Sequence, residues 1–227
     1  MALNDYVARV RQLLHDPNGQ FYNTADIVSY INTARRQVAM DGECIRVLPP
    51  SNPGQNQTVT SQEVYTFASL APLIQAQFPG VQKIVKVLSI AVSWGSMKPT
   101  LRQCTWSDMQ AYLRSYSTGL QNYPTYWAQY GQGTNGSAYM WPIPSGEYPM
   151  DWDCVCLPVD LLDNSTPDAI PEPWDDPVCY YATYLAYLNT QRAGDAENMK
   201  STYKQMTQEA RAQAEGPWVP DFYPSGI

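Results

Sequence analysis

The chain has 227 residues and a formal charge of −7 from 14 basic and 21 acidic side chains, with a single histidine. That sign argues against a protein that grips nucleic acid through a broad basic face. Charged residues make up only 15%, so Gln, Asn, Ser, Thr and 17 tyrosines must supply the wet surface, a composition suited to contact with partners. No apolar run approaches the length of a membrane span, and the N-terminus reads as an amphipathic helix, not a signal peptide. Five scattered cysteines read as free thiols, with no disulfide expected.

The first predicted helix carries Leu3, Tyr6, Val7, Val10, Leu13 and Leu14 on one face. It stops at His15, before the turn Asp16-Pro17-Asn18-Gly19. A second helix starts near Asn23, with Asp26 at capping-box spacing, runs on the stripe Ile27, Ile31, Ala34 and Val38, and ends at Gly42.

From about 43 to 100 the texture is that of strands. Cys44–Leu48 is a short one, 58–60 and 64–67 form a polar hairpin, and Lys83–Trp94 is the strongest strand of the chain. A short helix starts at Thr105, with Asp108 three residues on. Strands return at Thr125–Tyr130, Ala138–Trp141 and Asp151–Val159.

Near the C-terminus, Asp176 and Pro177 open a helix with the stripe Val178, Tyr181, Leu185 and Leu188. Ala193-Gly194-Asp195 is the expected loop, Gly194 closing one helix and Asp195 capping the next, which carries Met199, Tyr203, Met206 and Ala210. The segment after Glu215 has prolines and aromatics but no period. The fold expected is α+β. Two helical hairpins, 1–42 and 161–215, form a bundle from both chain ends. Between them lies an inserted, mostly β lobe at 43–160, and 216–227 is an extended tail.

No catalytic constellation emerges. The lone His15 has no triad around it. Cys154 and Cys156 share a strand face at a spacing unsuited to a zinc knuckle. Asp151 and Asp153 are the only carboxylates to weigh for a hydrolase, and Asp175 and Asp176 read as helix-start residues. No catalytic residue, metal or cofactor is expected. Arg35-Arg36, Lys83/Lys86 and Lys200/Lys204/Arg211 are small basic groups that read as solvated faces. A negative wall would let DNA slide past without adhering.

The aromatic residues carry the partner readings. Tyr180, Tyr184 and Tyr187 form a second stripe beside the apolar one, a candidate subunit interface. Trp218, Phe222 and Tyr223 cannot bury themselves within so short a tail, so docking on another surface is expected; proline stiffening lowers its entropic cost. A rival reading uses Trp127, Trp141 and Trp152 as stacking platforms of a carbohydrate-binding tail or fibre component.

The order of motifs resembles a known family. TADIVSYINTARRQVAMDG follows the Asp-Pro turn. YPTYWAQYG and YMWPIPSGEYPM come later, and Ile170-Pro171 precedes a helical hairpin with YYA and GDAE. This resembles the head-to-tail adaptor (head–tail connector) proteins of short-tailed bacteriophages. The resemblance implies a structural, non-enzymatic virion protein, assembled in the host cytoplasm and placed at the head–tail junction. It implies a homo-oligomeric ring, a dodecamer, beneath the portal, continuing the DNA channel to the tail nozzle without sequence-specific binding. The tail, with Trp218, Phe222 and Tyr223, would engage the portal protein. The β lobe, with Trp127, Trp141 and Trp152, would face the nozzle protein and tail fibre.

Overall fold

A computed structural model describes residues 1–49, 56–113 and 120–214. It is α+β, with helices from both chain ends and strands between them. The chain divides into two compact units: Leu3–Gly42 with Pro171 onward, and Glu43–Ile170.

Among its described residues the first unit holds four helices: α1 (Leu3–Leu13), α2 (Thr24–Gly42), α5 (Asp175–Asn189) and α6 (Ala193–Ala214). The α1 and α2 stripes behave as their spacing predicts. Tyr6, Val10, Ile27, Ile31, Ala34 and Val38 are all completely buried. Asn23 caps α2, its Oδ1 accepting the Ala25 N–H at 3.1 Å.

The face of α5 differs from expectation. Its buried residues are Pro177, Val178, Cys179, Ala182, Thr183, Ala186 and Tyr187, whereas Leu185 is half-buried and Leu188 is 46% exposed. The reason is steric: small side chains let α5 lie close against α1, α2 and α6, and the larger residues move to the flanks. The start of α5 also shifts. Trp174, not Asp176, occupies the N-cap position, and Asp176 pairs with Arg9 at 2.6 Å.

The turn between α5 and α6 is likewise not the one expected. Gly194 lies inside α6, and the left-handed residue is Gln191, at φ 59°. Gln191 N–H donates to Leu188 O at 3.1 Å and Arg192 N–H to Tyr187 O at 2.9 Å. That pair of bonds is a Schellman closure with a non-glycine residue in the strained position. Gln191→Gly is therefore expected to raise stability by about 1 kcal/mol, read from the urea midpoint. An unchanged or lowered midpoint would mean that the turn is not strained.

His15, at φ 56°, closes α1 in the same way, with His15 N–H to Gln12 O at 3.1 Å and Asp16 N–H to Arg11 O at 3.0 Å. The single histidine is thus an exposed helix terminator.

In the second unit, β1 (Arg46–Val47), β9 (Met150–Pro158) and β3 (Val81–Val92) form an antiparallel sheet in the order β1-β9-β3. The strands β2 (Val64–Thr66), β7 (Ser137–Trp141), β6 (Tyr126–Tyr130) and β4 (Arg102–Gln103) form another in the order β2-β7-β6-β4, with β4 parallel to β6. The short β5 (Gln121–Asn122) and β8 (Ile143–Pro144) pair in parallel.

The longest strand departs from simple alternation. Apart from Val92 at its end, its buried residues Val81, Ile84, Val87 and Ile90 recur every third position. Opposite them on β9 stand Pro158, Cys156, Cys154 and Trp152, which recur every second. Three register shifts reconcile the two periods. Each inserts one extra residue into β3, which bends the strand and increases its twist while every third side chain stays inward.

One helix went unpredicted. The segment read as the second arm of a hairpin continues from β2 directly into α3 (Phe67–Gln77). Thr66 caps it, accepting the Ser69 N–H at 3.3 Å, and Phe67, Leu70 and Ile74 are buried at helical spacing. The short helix expected at Thr105 is present as α4 (Trp106–Asp108), which runs into a π-helical turn, Met109–Leu113.

Candidate interaction surfaces

Chemistry-bearing side chains are dispersed. Asp151 pairs with Lys98 and Asp153 with Arg46, so both carboxylates weighed for hydrolysis stand in ion pairs. Cys154 and Cys156 are completely buried beside Val87 and Ile84, and burial pushes the Cys156 thiol up to about 12 and that of Cys154 higher still. Thiols so protonated are poor nucleophiles and poor metal ligands. All five cysteines are free. Among the described residues no group of three His, Cys, Asp or Glu side chains is placed to hold a metal. Among the same residues no helix is long and apolar enough to cross a membrane.

The basic groups differ in fate. Arg35 is completely buried inside the bundle, so it offers no surface to a phosphate. Lys86 pairs with Glu43 at 2.5 Å. Lys200 lies over the Tyr184 ring at 5.4 Å from its centroid.

Three tryptophans expected to face partners are core residues. Trp127 and Trp152 have no exposed surface and Trp141 has 6%. Trp127 and Trp141 lie on adjacent strands of the four-stranded sheet, and Trp141 packs with Met109 and Ala128. Trp152 meets the Tyr65 ring at 6.2 Å between centroids. Large aromatics in strands pack inward, because there they remove the most apolar area from water. A ring without an exposed face is no stacking platform, so the carbohydrate reading loses the residues that carried it.

The tyrosine stripe divides. Tyr187 is 2% exposed and its hydroxyl donates to Leu13 O at 3.1 Å, so it belongs to the bundle core. Tyr180 and Tyr184 are half-buried. Tyr184 meets Tyr181 in a tilted pair at 5.3 Å, Tyr181 meets Tyr203 at 4.8 Å, and the Tyr203 hydroxyl donates to Asp41 at 2.5 Å. Trp218, Phe222 and Tyr223 lie outside the described residues.

The aromatics that do reach the surface of the second unit are others. Trp94 is 52% exposed at the tip of the turn after β3 and stacks on Tyr123 at 5.0 Å, which meets Tyr148 edge-on at 5.3 Å. Trp106, Tyr130 and Tyr139 form a second cluster, with Trp106 also lining an open groove between β4 and β6 together with Arg102, Gln103 and Gln129. Sequence reading missed these because neither Trp94 nor Trp106 lies in a regular stripe. Gly95-Ser96 after Trp94 was the available signal, since a turn tip cannot bury its flank.

Among the described residues of the first unit, the most exposed aromatic is Phe21, at 82%. Its loop is firmly built. The Asp16 carboxylate is 3% exposed and accepts N–H groups from Gln20, Phe21 and Tyr22 at 2.8–3.0 Å. Gly19 sits at φ 66° where a Cβ would overlap the Arg11 guanidinium. Burial alone would raise the Asp16 pKa, but the three N–H donors, with Arg11 nearby, hold it below the ordinary carboxylate value. A carboxyl lowered in the folded state adds stability above its ordinary pKa and loses it as pH falls through the lowered one. Between about pH 5 and pH 3, the wild type should therefore lose more stability than Asp16→Asn, read from thermal midpoints. Parallel losses would mean that Asp16 is not held by these donors.

Residues 1–221 match the model of the SU10 adaptor protein family. The chain belongs to that family. No curated protein matches it. SU10 adaptor proteins are bacteriophage adaptors, so the chain is a structural component of a phage virion, in agreement with the resemblance seen in its motifs. Adaptor work needs contact surfaces. Among the described residues, Trp94 and Phe21 are exposed aromatics and Tyr180 and Tyr184 of α5 are half-buried.

Proposed function

We propose that the chain forms a closed ring, a dodecamer, that joins the portal to the tail nozzle at the head–tail junction and continues the DNA channel. The ring assembles in the host cytoplasm. The observation that carries this reading is the family match over residues 1–221, which spans both the helical and the β-rich unit. A closed ring needs two different faces on each subunit. Tyr180 and Tyr184, on the outer flank of α5, supply part of one. Trp218, Phe222 and Tyr223 dock on the portal, and the β-rich unit meets the nozzle and fibre subunits through Trp94 and Trp106. DNA passes without specific contact, because the chain's net charge of −7 repels phosphate.

Deleting 217–227 is expected to leave the thermal midpoint unchanged and to reduce capture by immobilised portal protein at least about tenfold, the loss of a few buried aromatic anchors. Undiminished capture would remove the docking role of the three aromatics.

A further inference from the structure

Strand β3, 12 residues long, lies at the end of the order β1-β9-β3, so one side of its backbone faces no strand of that sheet. Long open edges recruit strands of other chains. In this protein the edge is occupied at three places. Near its end, Val92 N–H donates to Pro99 O at 3.1 Å and Leu101 N–H donates to Ile90 O at 2.7 Å, so the returning chain covers 90–92. At its centre, Val87 N–H donates to Gln129 Oε1 at 3.1 Å. Near its start, Gln75 Nε2 donates to Gln82 O at 2.5 Å. Backbone of the same chain covers the first place, and side-chain carboxamides cover the other two.

A carboxamide carries the same donor and acceptor as a peptide group, so each glutamine stands where the peptide of a partner strand would bond. Gln129 is held at both ends, because its Nε2 donates to Gly131 O at 2.8 Å. Water is a poor substitute at the centre of the edge, since Val87 is only 2% exposed. Without Gln129 a buried donor loses its partner, and the C=O of an incoming strand is the group that would restore it. There is room for such a strand. An open groove of about 520 Å3 runs beside Lys86, Val87, Leu88 and Gln129. The three register shifts of β3 add to the protection by twisting the edge away from a flat template.

We infer that the Gln75 and Gln129 carboxamides guard the outer edge of β3, closing it to antiparallel pairing with β3 of a second copy. Such pairing runs about a two-fold axis and is isologous, ending at a dimer, whereas a cyclic ring of more than two copies needs heterologous contacts. The guard therefore removes a competing mode of self-association, and it acts whether or not the ring forms.

The test replaces Gln129 in the full chain by Met, which keeps the length and loses the acceptor, and by Glu, which keeps an acceptor for the Val87 N–H. Hydrogen exchange at low concentration reads the bond. The Val87 amide is expected to exchange at least about fivefold faster in Gln129→Met than in the wild type, the loss of one hydrogen bond, and at the wild-type rate in Gln129→Glu. Sedimentation velocity at rising concentration reads the guard. Gln129→Met is expected to gain a dimer that neither the wild type nor Gln129→Glu forms, with the amides of 85–89 slowing again as it appears. If Gln129→Met sediments as the wild type does, or its Val87 amide exchanges at the wild-type rate, the guard is overturned. Association without slower exchange at 85–89 also overturns it, because another surface then pairs. Where Gln129→Met does not fold, Gln75→Met, at an exposed helix position, decides by the same appearance of a dimer with slowed amides in β3.

Discussion

Trp152→Ala is expected to destabilise the β-rich unit by about 3–5 kcal/mol, the cost of emptying a fully packed aromatic site. Trp152 stands on the central strand of the three-stranded sheet, opposite Ile90, with no exposed surface and with Tyr65 at 6.2 Å. Its indole N–H is buried and has no acceptor among the described residues. A donor left in that state opposes the packing gain by about 1–3 kcal/mol. Trp152→Phe keeps most of the ring and removes the donor, so it should cost at least about 2 kcal/mol less than Trp152→Ala. Urea unfolding followed by circular dichroism separates the two. A Phe variant as weak as the Ala variant would mean that the N–H is satisfied. An Ala variant close to wild type would remove Trp152 from the core.

The second large effect is at the junction of α2 with the segment before α5. Gly42 ends α2, and a Cβ there would overlap the six-membered ring of Trp174, which is 3% exposed. Trp174 is anchored in turn by its N–H to Pro171 O at 2.9 Å. Overpacking at such a contact costs about 3 kcal/mol, so Gly42→Val should lower stability by that amount. The loss arises from one neighbour. Gly42→Val combined with Trp174→Ala should therefore fall short of the sum of the single changes by at least about 1 kcal/mol. Strict additivity would mean that the two residues do not meet. The glycine reads as a simple helix stop in the sequence, and its closer role depends on a residue more than a hundred positions away.

Features fixed by local chemistry were legible from the residues alone. The stripes of α1 and α2 have one buried face each, so spacing identifies it. The Asp-Pro-Asn-Gly turn was legible because its residues act on their own neighbours. The α5 face was not, because four-helix packing rewards small residues at the closest approach, and a hydrophobic scale places Leu185 and Leu188 there instead of Ala182 and Ala186. The helix α3 was obscured by Pro72 in its interior, although Phe67, Leu70 and Ile74 kept helical spacing. In β3 the extent was legible and the three-residue burial period was not, since it depends on bulges set by the partner strand.

The interaction residues divide along the same line. An exposed Trp and a buried Trp look alike in a strand-rich stretch, so the sequence does not separate the buried Trp127, Trp141 and Trp152 from the exposed Trp94. Phe21 belongs to no stripe, and its meaning comes from a carboxylate five residues earlier that holds the backbone but not the ring. The family itself was readable from motif order because it extends over most of the chain.

Cryo-electron microscopy of assembled phage particles tests the central claim most directly. The account predicts density for this chain in the neck below the portal vertex, as a closed ring around the DNA, with neighbouring subunits in contact through their helical units. Particles with this chain elsewhere, or a neck built without it, would contradict the account.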